Sequence, residues 1–69
     1  MQATFREWIK EKGAGRLASL LGLTNDAVYS WSHRNIIPRS VWPELILAFS
    51  EMGLNDFLAM EAASKQADQ

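Results

Sequence analysis

His33, the only histidine of the chain, stands beside Ser30 and Ser32. A hydroxyl next to an imidazole is the start of a nucleophile–base pair, but such a pair needs a third group to orient the base. No acid lies three or four positions from His33, so hydrolytic chemistry is not expected. The chain has no cysteine, which excludes a thiol nucleophile, a disulfide framework and Cys-ligated zinc. Nor is there a paired acid and base or a phosphate-binding loop. The sequence therefore predicts no enzyme, no metal, no cofactor and no small-molecule ligand.

What remains is hydrogen-bonding chemistry on one short segment. Asn25, Asp26, Tyr29, Ser30 and His33 recur at spacings that point them away from the apolar side of a helix. Side chains of these types can read base edges in a DNA major groove: Asn pairs bidentately with adenine, and a carboxylate accepts from cytosine N4. Each has a plainer role open to it. Asp26 also suits the positive end of a helix, Tyr29 can pack over a neighbouring helix, and Asn25 and His33 can be simply solvated. Arg34 and Arg39 flank the following turn, with Lys10, Lys12 and Arg16 on the other side. Such cations can hold phosphates, positioning a protein on DNA without specifying sequence. For Lys10 a solvated surface residue is the expectation.

Helical punctuation positions these residues. Thr4 followed by Glu7 forms a capping box, with Phe5, Trp8 and Ile9 on one face, so a first helix is predicted over 4–12, stopping at Gly13. A second is predicted over 15–21, with Leu17, Ala18, Leu20 and Leu21 as its stripe and Gly22 as its left-handed end. Thr24 caps a third, with Asp26 in its first turn and Val28 and Trp31 sharing a face, ending near Arg34. Residues 35–39 form a turn before Pro38. Ser40 caps a fourth helix, with Pro43 in its first turn and an end at Gly53. Asn55 caps a fifth, and the polar residues 64–69 are expected to fray. No stretch alternates with period two, so no sheet is expected. The fold class is all-α: five short helices in one domain over 1–63.

The second and third helices, joined by Gly22, Leu23 and Thr24, have the dimensions of a helix-turn-helix. Close helix approach needs a small residue, supplied by Ala18. The tight turn needs positive φ, supplied by Gly22. Leu23 is expected to plug the corner, and Val28 and Trp31 anchor the second helix of the pair, about 14–33 overall.

The segment Arg16-Leu17-Ala18-Ser19-Leu20-Leu21-Gly22-Leu23-Thr24-Asn25-Asp26-Ala27-Val28-Tyr29-Ser30-Trp31 resembles the helix-turn-helix of Cro-type phage and prophage repressors. Ile37-Pro38 followed by Trp42-Pro43 is similar to a subgroup of prophage regulators of this length, and the likeness spans about 13–46. The resemblance implies a lambda-repressor-like fold and a cytoplasmic repressor that binds a palindromic double-stranded DNA operator as a homodimer. It implies base contacts at Asn25, Asp26, Tyr29 and Ser30, with Thr24 and His33 nearer the phosphates. The family often carries a glutamine where this chain has Ala14 between Gly13 and Gly15. Backbone amides at Ala14, Gly15 and Arg16 are then left to hold a phosphate.

Composition qualifies this reading. The 69 residues carry a net charge of −1, whereas DNA-binding domains are usually basic. The charge is divided, however: six basic against three acidic residues in 1–42 make +3, and one against five in 43–69 make −4. The basic part contains the proposed reading helix. At 48% hydrophobic the chain should fold, but one this short buries only about 60% of its unfolded surface. No membrane span or signal peptide is expected. Trp42, Ile46, Phe49, Met52, Phe57 and Met60 exceed what one small core needs; Trp42, Phe49, Met52 and Phe57 among them are expected to form a dimer interface, the rival role being to close the core. The alternative to a repressor is a protein-interaction module, antitoxin-like or a phage accessory protein, using helices four and five.

Overall fold

The computed structural model describes residues 3–67 and is helical throughout, with no strand among the described residues. Five α-helices follow in order: α1 (Phe5–Lys12), α2 (Ala14–Leu21), α3 (Asn25–Arg34), α4 (Trp42–Ala48) and α5 (Leu54–Ala67), with a 3-10 turn at Arg39–Val41 before α4. The molecule measures 30 × 24 × 20 Å.

Local chemistry sets the first three helices. In α1 the Glu7 amide donates to Thr4 Oγ1 at 3.2 Å, and the Thr4 amide donates to Glu7 Oε1 at 3.0 Å. That reciprocal cap holds the Glu7 carboxyl below the usual carboxylate range, through the backbone hydrogen bond from Thr4 first and its hydroxyl second. At the end of α2, Gly22 adopts φ 68° and ψ 30°. The Gly22 amide donates to Ser19 O and the Leu23 amide to Ala18 O, the paired pattern of a Schellman turn. The end of α3 repeats it with Asn35 at φ 58°: the Asn35 amide donates to Ser32 O and that of Ile36 to Trp31 O.

Inward faces of all five helices meet in one core. Phe5, Trp8, Ile9, Leu17, Ala18, Val28, Trp31, Ile37, Trp42, Leu45, Phe49, Phe57 and Met60 are buried. Its centre is aromatic: Trp8 meets Phe49 and Phe57 edge-on with ring centroids 5.3 and 5.6 Å apart, the orientation that the ring quadrupoles favour. The Trp42 indole donates to Ile37 O at 3.0 Å, whereas the buried Trp8 Nε1 has no hydrogen-bond partner.

Ser40 does not cap α4: it lies within the 3-10 turn, and Val41 precedes the helix with no side-chain cap. The chain departs from the sequence expectations in four further places. First, α4 ends at Ala48 rather than Gly53, because Phe49 leaves the helix (φ −118°, ψ 83°) and turns its ring against Trp8. Second, α5 begins at Leu54, not after an Asn55 cap; the Gly53 amide donates to Asp56 Oδ2 at 2.8 Å and secures its start. Third, α5 continues past residue 63 to Ala67. Ser64 is buried: its hydroxyl accepts from the Phe5 amide at 2.8 Å and its carbonyl from Asn35 Nδ2 at 3.4 Å. Residues 68–69 of the expected frayed tail lie outside the described residues. Fourth, Leu23 is 41% exposed and does not plug the corner. The turn is closed by its own backbone bonds, and Leu21 packs against the core instead.

Candidate nucleic-acid interface

The side chains of α3 divide by face. Val28 and Trp31 are buried, while Asn25, Asp26, Tyr29, Ser30 and His33 are all exposed. Positions 25, 29 and 33, and positions 26 and 30, form two adjacent rows, since residues four apart lie one above the other on a helix. These five residues are thus brought together on one polar surface.

Both ends of α3 are held. Thr24 Oγ1 accepts from the Ala27 amide at 3.3 Å, so Thr24 has a structural role. At the other end the Arg6 guanidinium donates from Nε to Ser32 O at 2.9 Å and from Nη2 to His33 O at 3.0 Å. These are last-turn carbonyls of α3, where the helix leaves acceptors unsatisfied and its dipole favours a cation. The adjoining Arg6 amide donates to Asn35 Oδ1 at 2.8 Å. Buried Asn35 therefore ties α1, the end of α3 and α5 into one joint. Sequence reasoning missed Arg6 and Asn35 as supports. The positive φ at Asn35 was legible in principle, because Asn is the common non-glycine residue for a left-handed helix end; a contact between residues 6 and 33 had no local signal.

The start of α2 lies next to the start of α3. Gly13 (φ 93°, ψ 121°) precedes α2 and gives it no side-chain cap, so the first amides of the helix, at Ala14, Gly15 and Arg16, have no acceptor within the helix. A side chain at Gly15 would meet Asn25 Oδ1 at 3.8 Å, so the Asn25 amide group sits beside this end. Between α1, α2 and α3 is a depression of about 460 Å³ lined by Arg6, Ile9, Lys10, Gly13, Ala14, Tyr29 and Ser32. Lys10, read from sequence as a solvated residue, is on its rim.

Other assigned cations are distributed unevenly. Arg34 is exposed at the last turn of α3. Arg16 is exposed, with its guanidinium 5.3 Å from the Phe49 ring centroid. Arg39 is not gathered with them: it pairs with Glu61 of α5 at 2.7 Å and lies 5.2 Å from the Trp42 ring centroid. The hydrogen bond from Arg39 is the main reason that the Glu61 carboxyl is held below its usual range.

The four aromatic and sulfur residues of the expected dimer interface are positioned differently. Trp42, Phe49 and Phe57 are buried in the core of this chain and Met52 packs partly against it, so they close the core, the second of the two roles open to them. The large apolar residues exposed in this half, among the described residues, are Leu47, Leu54 and Leu58.

Among the described residues there is no group of three or more metal-ligating side chains, and no helix is long and apolar enough to cross a membrane. Comparison with family models, curated proteins and solved structures finds no match for this chain.

Proposed function

We propose that this protein is a sequence-specific DNA-binding transcriptional repressor of the Cro type, with α2 and α3 as its helix-turn-helix. It acts in the cytoplasm by occupying promoter DNA as a dimer on a palindromic operator. In this reading α3 lies in the major groove, where Asn25, Asp26, Tyr29 and Ser30 meet base edges. The amides at Ala14, Gly15 and Arg16, with His33, Arg34 and Lys10, meet phosphates on either side. The observation that carries the reading is the α3 surface itself. Five exposed hydrogen-bonding side chains stand in two rows on a helix clamped at both ends, directly beside an uncapped helix start. A clamped helix presents those groups with little ordering left to do on binding.

The test is a gel-shift titration against the DNA upstream of the protein's own gene, repeated over a range of salt. Salt-sensitive binding to one fragment is expected. Asn25→Ala should lose about 1–3 kcal/mol at one base pair and relax specificity there, whereas Arg34→Ala should weaken all sequences alike and lower the salt slope by about one. Absence of salt-sensitive binding to any fragment would sink the reading. It would leave the one other reading that an observation favours, a protein-interaction module built on the exposed leucines of α4 and α5.

A further inference from the structure

The far end of α3 is held by directional polar contacts. Buried Asn35, at the left-handed end of the helix, accepts from the Arg6 amide at 2.8 Å and donates from Nδ2 to Ser64 O at 3.4 Å. The Arg6 side chain reaches over the same turn, donating from Nε to Ser32 O and from Nη2 to His33 O. Ser64 in turn accepts the Phe5 amide on its hydroxyl at 2.8 Å. The start of α1, the end of α3 and the last turns of α5 thus meet through Arg6, Asn35 and Ser64. Val28 and Trp31 bury the inner face of α3, but apolar packing is non-directional, whereas hydrogen bonds fix an angle as well as a distance.

We propose that Arg6 and Asn35 are positioning residues for base recognition: they set the tilt of α3, and hence its sequence specificity, without touching DNA themselves. The inference rests on the DNA-binding reading. A helix of ten residues is about 15 Å long, so a tilt of about 10° at its capped Thr24 end moves the far end by about 2–3 Å. Recognition groups must be held to within about 0.5 Å. Tyr29, Ser30 and His33 lie in that far half of α3, and Arg6 bonds the carbonyls of residues 32 and 33 there. Arg6 is exposed beside Lys10 on the lining of the depression between α1, α2 and α3, a place that also suits a phosphate contact. A phosphate contact would raise affinity for all sequences alike. The geometry favours positioning, because Nε and Nη2 are already engaged by helix-end carbonyls, where the α3 dipole favours a cation.

Two variants of the whole chain separate these roles. Arg6→Lys keeps the charge but loses the guanidinium fork that reaches two carbonyls. Asn35→Gly keeps the left-handed backbone but loses both side-chain bonds. Because Arg6 is exposed, Arg6→Lys tests the proposal even where Asn35→Gly fails to fold. Without DNA, hydrogen exchange at the amides of Ser32, His33 and Arg34 should quicken by about tenfold in both variants, the factor that one charge-assisted bond is worth. Exchange at Leu20 and Leu21 in α2 should not change. Equal quickening in both helices, the mark of lost global stability, would overturn the proposal. In gel shifts, both variants should discriminate the upstream fragment from unrelated DNA about tenfold less well than wild type. Their affinity for unrelated DNA and their salt slope should be unchanged. Wild-type discrimination by Arg6→Lys, or a loss of affinity equal for the two DNAs, would overturn the proposal and leave the DNA reading intact. Quickened exchange at the end of α3, with no salt-sensitive DNA binding by wild type, would overturn the DNA reading and the specificity role with it.

Discussion

At the scale of single residues, two buried tryptophans of similar exposure are in unlike situations. Trp42 donates to Ile37 O, whereas Trp8 Nε1 is buried without a partner. Removing one member of a buried hydrogen-bonded pair leaves the other unsatisfied, at about 1–3 kcal/mol, while removing an orphan leaves none behind. Both Trp→Phe changes lose ring volume in the same aromatic cluster. Trp42→Phe is therefore expected to be less stable than Trp8→Phe by about 1–2 kcal/mol in urea denaturation; equal losses would show that volume alone decides. The sequence identified both tryptophans as apolar and gave no means of telling them apart, because the distinguishing carbonyl comes from the turn before α4.

At the scale of elements, the turn between α2 and α3 was legible at Gly22 and Thr24. Gly22 adopts the left-handed conformation expected of it, and nothing lies within 4 Å of where a Cβ would be. The cost of a side chain there is consequently backbone strain rather than collision. Gly22→Ala should destabilise by about 1–2 kcal/mol, the handedness penalty of an L-residue, and Gly22→Asn by clearly less, as the wild-type Asn35 shows this conformation to be open to asparagine. Thermal unfolding of the two variants checks this; equal losses would point to a cause other than φ. Leu23 shows the limit of the same reasoning. An apolar residue after the glycine looked like a plug, but whether it turns inward depends on what the neighbouring helices leave open. Similarly, the apolar run from Val41 to Phe49 suggested one longer helix. Phe49 leaves the helix there, and its ring stands edge-on to Trp8, a contact with a distant segment that the local pattern does not show.

At the scale of the whole molecule, charge is organised by the fold into pairs that join distant segments. Arg39 reaches Glu61 across 22 positions, and hydrogen bonding from Arg39 holds the Glu61 carboxyl below its usual range. A lowered carboxyl contributes stability above its unfolded value, about 4.3 for glutamate. That contribution is lost as pH falls through the lower folded value. Glu7 behaves with the same sign, through its bonds with Thr4. The melting midpoint should therefore fall as pH drops below about 4.3, and Glu61→Gln should show a shallower fall than wild type; identical acid profiles would contradict the linkage. In the proposed DNA-binding reading, the pairing with Glu61 also offsets the charge that Arg39 could offer to a phosphate. If the protein binds DNA as proposed, the −1 net charge predicts weaker long-range attraction than a strongly basic repressor has.

The sequence by itself determined the all-α class, the start of α1, the α2–turn–α3 boundaries and the polar face of α3. Each depends on interactions within one or two turns: a hydroxyl cap, a left-handed glycine, an apolar stripe at helical period. Tertiary structure alone decided that Trp42, Phe49 and Phe57 face inward while Leu47, Leu54 and Leu58 stay exposed, that α5 continues through Ser64, and that Arg6 and Asn35 secure the far end of α3. Those outcomes depend on which carbonyls, rings and cavities distant segments bring together. A residue's type states what it can bond or bury; only the packed chain supplies the partner.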